Sequence, residues 1–263
     1  MIEQIERRVF GAIEFIDDLS ETRVLSPLQI QAPGVKVLRN HSGFYVVREV
    51  DEQDSYSRAF DNPPARPPRS EFAMRVEDPA QRYQAQSIRL SWPRWLPDGV
   101  INVDDGDNAL KPFTVRLTPA AAMHLQPAWA VLRLKVAVSG SEPMTGLANV
   151  MVEAQPALAG FPLRRSFTDR HGEALVVIVS APPFLPLAGP PAGLTREFPV
   201  SLTLVLDHSV VRPSTAQEFP SPDPALIQQR RSAGHADVRV VATGDQLFSA
   251  GARRRRTDLV TWP

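Results

Sequence analysis

The chain contains no cysteine, which excludes disulfides, thiol nucleophiles and thiolate-bound zinc together. Lysine is almost missing too: Lys36, Lys111 and Lys135 stand alone, and every other basic residue is arginine. Arginine makes planar, multidentate contacts and is enriched at protein interfaces; a GC-rich genome produces the same bias. There is no excess charge of either sign, with 29 basic and 29 acidic residues, whereas a nucleic-acid binder usually carries a basic domain. No apolar run approaches membrane-spanning length. The opening MIEQIERRVFGAIEFIDDL lacks the apolar core and small-residue cleavage site of a secretory leader. The expected location is therefore the cytoplasm, or a particle assembled in the cell or released from it.

Catalytic and cofactor motifs are missing as well. None of His41, His124, His171, His208 and His235 has a glutamate three or four positions later, so the spacing that places two zinc ligands on one helix face is absent. G-x-S-x-G, G-x-G-x-x-G and G-x-x-x-x-G-K-[ST] do not occur either. No catalytic residue and no cofactor are expected, and a small-molecule ligand is not expected.

What is present is punctuation and short apolar segments. Prolines number 26 and glycines 14, and they divide the chain into pieces such as FAMRV, SIRLSW, AVLRLKVAV, NVMVEA, EALVVIV and FPVSLTLVL. Several alternate with period two: Phe72, Met74 and Val76 share one face, and Leu132, Leu134 and Val136 lie opposite Val131, Arg133 and Lys135. Many short alternating strands with turn signals between them predict an all-β fold of two β-sandwich domains. The expected divisions are an N-terminal sandwich over 1–118 with a proline-rich loop near 61–69, a connector over 119–128, a second sandwich over 129–207, and a C-terminal extension over 208–263. That extension reads as largely irregular, with one short helix capped by Asp223 and opened by Pro224. The segments beginning at Gly11 and at Gly146, each followed later by a polar, glycine-containing turn and an apolar strand, suggest a loose internal repeat.

Two resemblances can be named on particular residues. Gly146-Leu147-Ala148-Asn149-Val150-Met151-Val152, followed by Phe167-Thr168-Asp169-Arg170-His171-Gly172-Glu173-Ala174, resembles the carboxypeptidase regulatory-like domain, a small transthyretin-like sandwich in which a G-x-x-x-V-x-V strand precedes a T-D-x-x-G-x hairpin. The resemblance covers about residues 129–207. It implies an accessory, adhesive or assembly module without catalysis of its own. Asp78-Pro79-Ala80-Gln81-Arg82-Tyr83 and Ile88-Arg89-Leu90-Ser91-Trp92-Pro93-Arg94 look like a hairpin of bacterial proteins associated with phage-tail-like contractile injection systems. That resemblance implies a structural subunit of such a particle; the expected partners are its other protein subunits, and the balanced charge and short apolar runs predict no nucleic acid and no membrane insertion.

Three local features carry competing readings. Asp104, Asp105 and Asp107, around Gly106, are a calcium candidate through carboxylate oxygens, but Asp-Gly and Asp-Asn are also ordinary turn residues, and the turn is favoured. Arg253, Arg254, Arg255 and Arg256 with Trp262 read as a partner-binding arm, against a solvated basic tail. Trp92 and Trp95 are either a sugar-stacking platform or a loop pinned to a core. The leading expectation is a non-enzymatic structural subunit. The alternative is a free-standing adhesion module that binds carbohydrate or peptide, with a hydrolase accessory subunit behind both.

Overall fold

The computed structural model describes residues 9–51, 70–92, 111–124, 129–142, 144–157, 160–178, 196–241, 247–250 and 257–262. The fold is all-β: these residues form strands and one α-helix. No helix among them is long and apolar enough to cross a membrane. Two compact units are present, one of Met1–Asp17, Glu21–Pro79 and Ser87–Leu117, the other of Asp18–Ser20, Ala80–Gln86 and Thr118–Pro263.

In the first unit, β1 (Gly11–Asp17), β3 (Val35–Arg39), β4 (Tyr45–Val50) and β7 (Phe113–Leu117) form a sheet in the order β3-β4-β1-β7. A second sheet has the order β2-β5-β6, from Gln29–Gln31, Ser70–Glu77 and Gln86–Trp92. The period-two pattern does what alternation requires: Met74 and Val76 are buried while Ala73 and Arg75 face water. Trp92, at the end of β6, is fully buried and meets the Phe113 ring edge-on, with centroids 5.4 Å apart. Space for it exists because β1 begins with glycine: a Cβ on Gly11 would lie 2.8 Å from Trp92 Nε1. Phe15 and Tyr45 pack edge to face at 5.1 Å, and the Tyr45 hydroxyl accepts the Leu28 backbone N–H at 2.6 Å. The buried phenol is thus satisfied.

The second unit contains β8 (Ala130–Val138), β9 (Leu147–Ala148), β10 (Met151–Pro156), β11 (Arg164–Phe167), β12 (Glu173–Ile178), β13 (Arg196–Leu206), β14 (Arg212–Pro213), α1 (Pro224–Ser232), β15 (Asp237–Val241), β16 (Leu247–Ala250) and β17 (Thr257–Trp262). One sheet runs β11-β10-β13-β15, with β16 also on β13; another runs β12-β8-β17; β9 and β14 form a separate pair. The two larger sheets share a core. Leu132, Leu134, Val136, Ala174, Val176 and Ile178 from one meet Val152, Ala154, Val200, Leu202, Leu204 and Leu206 from the other. This is the sandwich geometry. β12 is apolar at almost every position because both its faces are covered: Leu175 and Val177 turn the other way, onto Leu19, Met123, Trp129 and Val131.

The helix forms where sequence expects it. The Asp223 carboxylate accepts from the Ala225 and Leu226 N–H groups at 3.0 and 3.1 Å, and Pro224 occupies the first turn. Nine residues are too few to hold a helix alone. Ile227 is buried against Met151, Phe167 and Val205 on the outer face of the β10–β13 sheet, a contribution of about 2 kcal/mol.

Four local expectations are corrected. First, beyond Asp207 the helix is accompanied by four paired strands among the described residues: β14 pairs with β9; β15 and β16 lie successively along β13, antiparallel; and β17 runs parallel to β8 from Thr257↔Arg133 to Trp262↔Val138. These strands are short and interrupted, so their pattern is weak when read locally. Second, the internal repeat fails in topology: β1 and β4 are antiparallel neighbours, whereas β10 and β12 belong to different sheets. Third, Gly146–Val152 is not one strand. It breaks at Asn149, whose φ of 64° is left-handed. Fourth, the turn at Arg170–Gly172 is not a hairpin. β11 pairs with β10 and β12 with β8, so the turn carries the chain from one sheet to the other. Positive-φ glycine and aspartate favour a tight reversal in either case, and only the distant partners distinguish the two.

Candidate functional site

The two segments that carry the regulatory-like resemblance meet in the second unit, where Thr168–Gly172 lies against Gly146–Val150. Asp169 is the organiser of the turn. One of its carboxylate oxygens accepts from the backbone N–H of His171 at 2.8 Å and of Glu173 at 2.9 Å, while the Gly172 N–H reaches the Asp169 carbonyl at 2.9 Å. Gly172 has a φ of +81°, and a Cβ there would lie 2.4 Å from the Val136 carbonyl oxygen and 2.9 Å from Gly146 Cα. Gly146 is just as constrained, since its Cβ would fall 2.1 Å from the His171 carbonyl oxygen. The two glycines allow backbone to lie on backbone.

Thr168 sits directly below this contact, fully buried. Its hydroxyl donates to the Leu147 carbonyl at 2.6 Å and accepts the Val150 N–H at 2.9 Å. The Thr168 backbone binds Asn149 N–H and Val150 carbonyl, and its carbonyl also accepts from the Gln84 amide at 3.1 Å. Asn149, in turn, donates its side-chain amide to the Val210 and Pro220 carbonyls at 3.0 and 2.7 Å. Ser214 exchanges bonds with Gly146 in both directions, at 2.7 and 3.1 Å. The proline-rich stretch after Asp207 is thereby fastened to the break between β9 and β10. Each side-chain bond named here ends on backbone, which is how buried main-chain groups outside a ladder are satisfied.

His171 is exposed at the tip, where its Nε2 accepts from Arg170 Nε at 3.0 Å. His41, His124, His208 and His235 are exposed too, and His208 pairs with Asp237 at 2.8 Å. Among the described residues no three histidines, aspartates or glutamates group as a metal site. Trp92, half of the sugar-platform reading, lies in the core instead. Trp262 is the last residue of β17, opposite Val138. Asp104, Asp105, Asp107, Trp95 and Arg253, Arg254, Arg255 and Arg256 lie outside the described residues.

Two buried acids that sequence did not single out anchor the helix. Glu153, with 6% of its side chain exposed, accepts from Arg165 Nε at 3.0 Å, Gln228 Nε2 at 2.8 Å and Arg231 Nη1 at 2.5 Å. Burial alone would raise its pKa, but the hydrogen bonds and charges of Arg165 and Arg231 outweigh this and hold the carboxyl below its ordinary value of 4.5. Asp207 caps its own turn, accepting from the Ser209 N–H and hydroxyl at 2.9 and 2.7 Å. Its other oxygen lies 2.8 Å from Arg230 Nε, close enough for an ion pair but not aligned as a hydrogen bond. The signal for Glu153 was present: a lone acid at a buried position of an otherwise apolar strand needs a partner. Its partners, 12 and more residues away, could not be read from spacing.

Comparison of the chain with protein-family models, with curated proteins and with solved structures finds no match in any of the three.

Proposed function

We propose that this chain is a non-enzymatic structural subunit of a large protein assembly, and specifically a component of a phage-tail-like contractile injection particle. The observation that carries the non-enzymatic reading is the use made of the polar cluster. The Asp169 carboxylate and the Thr168 hydroxyl both end on main-chain groups of the same unit. A nucleophile or general base needs a reacting atom within reach of its polar atom; here one Asp169 oxygen closes the turn and the Thr168 hydroxyl bridges the break between β9 and β10. The likeness of Gly146–Val152 and Phe167–Ala174 to carboxypeptidase regulatory-like domains supports an accessory or assembly role, and the hairpin likeness at Asp78–Arg94 supports the particle. Arg253, Arg254, Arg255, Arg256 and Trp262 supply the types of side chain that anchor protein interfaces.

The test is sedimentation of the chain with the particle from its own source cells. The four arginines replaced together by glutamine should shift the chain from the particle fraction to the free fraction. A wild-type chain that sediments alone, with no tube or sheath protein beside it, refutes the assembly reading.

A further inference from the structure

We propose that α1 is a strap, latched by buried acids, that lifts off its sheet while the sandwich beneath stays folded. The segment that carries it is tied at both ends. Ahead of it, the Pro220 carbonyl accepts from the Asn149 amide at 2.7 Å; behind it, Asp237 begins the ladder of β15 along β13. Between these ties the backbone bonds at the helix ends stay within the segment, from the N–H groups of Ile227, Ala233, Gly234 and His235 to the carbonyls of Asp223, Gln229, Arg231 and Arg230. The contacts that seat the helix on the sheet are made by side chains. Ile227 is its one buried residue; around it Gln228 and Arg231 reach Glu153, and Arg230 lies beside Asp207.

The seat is imperfect. Ser221 Oγ, Asp207 Oδ2 and Arg230 Nε are buried without a hydrogen-bond partner, and all of them belong to the strap or to the acid beneath it. Such atoms regain hydration when the cover lifts, whereas the ladder between β10 and β13 is left intact. Nine residues have little helical stability of their own, and elements with few buried apolar contacts open locally, ahead of global unfolding. Beneath α1 lie Met151, Phe167 and Val205, all buried. Val238 pairs with Val205 across the ladder, and both Val238 and Val240 are already exposed. Lifting joins these side chains into one apolar surface that runs from β11 to β15, so the strap controls how much apolar surface the chain presents. The isolated chain carries this device, whether or not it joins a particle.

The chain has no cysteine, so one introduced thiol reports its own exposure. Val205→Cys places it beneath α1, and Val152→Cys places it in the core between the sheets. The experiment follows the reaction of both full-length variants with DTNB, a small aromatic disulfide, across urea concentrations below the unfolding transition, with circular dichroism as the check on folding. The thiol at 205 should react about a hundredfold faster than the thiol at 152 and respond weakly to urea, because lifting a single helix exposes little surface. Adding Glu153→Gln weakens the latch and should speed the reaction at 205 about tenfold. Met151→Cys, under the same helix on the neighbouring strand, repeats the measurement where Val205→Cys does not fold. A thiol at 205 that reacts as slowly as the one at 152, with the same urea slope, means that α1 leaves only on global unfolding and overturns the proposal. A rate at 205 that Glu153→Gln leaves unchanged overturns it too.

Discussion

Replacing Glu153 by alanine tests how the helix is held. The substitution removes one buried carboxylate on which Arg165, Gln228 and Arg231 converge. A hydrogen bond to a charged group contributes about 1.5–3 kcal/mol when its partners are buried. Arg165 and Arg231 have side chains 46% and 31% exposed, so both recover water when the acid is lost, and each pairing is worth about 0.5–1 kcal/mol. The Gln228 bond adds about 1 kcal/mol. Together these give a loss of about 2 kcal/mol, or a fall in Tm of about 4–8 °C for a unit of this size. Denaturant unfolding measures it, and a double-mutant cycle with Arg231→Ala should return a coupling of about 1 kcal/mol. A Glu153→Ala midpoint indistinguishable from wild type would refute the reasoning, because the acid would then add nothing to a helix held by Ile227 and by Arg230 at Asp207.

The remaining predictions concern the same unit. Since Glu153 has a lowered pKa in the fold, its stabilisation is fully present above its ordinary value of 4.5 and is lost as pH falls through the lower folded value. Acid titration of stability should therefore show a shallower decline in Glu153→Ala than in wild type, and parallel curves would contradict the assignment. Gly172→Ala forces a side chain into left-handed backbone and against the Val136 carbonyl. It should cost about 3 kcal/mol or more, read as a lower unfolding midpoint or loss of soluble protein, and an unchanged midpoint would contradict the geometry. His171→Ala at the exposed tip should change stability by less than about 0.5 kcal/mol, because the bond to Asp169 comes from the backbone N–H; thermal unfolding decides it.

Legibility in the sequence followed the range of the interactions. The alternation of Leu132, Leu134 and Val136 declares a sheet face, and these residues lie in the core. Asp223 followed by Pro224 declares a helix start, and the cap is made by that carboxylate. Both are decided within a few residues. The exchange of sheets at Arg170–Gly172 depends on β10 and β8, far along the chain, so the same turn residues read equally well as a hairpin. Asn149 is an intermediate case: asparagine tolerates left-handed backbone, but the carbonyls of Val210 and Pro220 that hold it there lie about sixty and seventy residues away along the chain. The parallel pairing of β17 with β8 has no local signature, since parallel partners are set by the path of the whole chain.

For the candidate site, residue types were informative and roles were not. Aspartate, histidine and glutamate within Asp169–Glu173 suggest chemistry when read as a list of side chains. Placed in the fold, the aspartate closes a turn, the histidine caps an exposed tip, and the glutamate begins a strand opposite Lys135. The glycines at 146 and 172 explain why the cluster exists, because backbone can pass this close only where no Cβ intervenes.

The most direct test of the central claim, that the chain is a structural part of a contractile injection particle, is electron microscopy of material purified from its source cell through a tag on this chain. Tubular, tail-like particles bearing the chain at a fixed position are the expected result. Preparations that contain the folded chain and no such particles, from cells that make them, would contradict it.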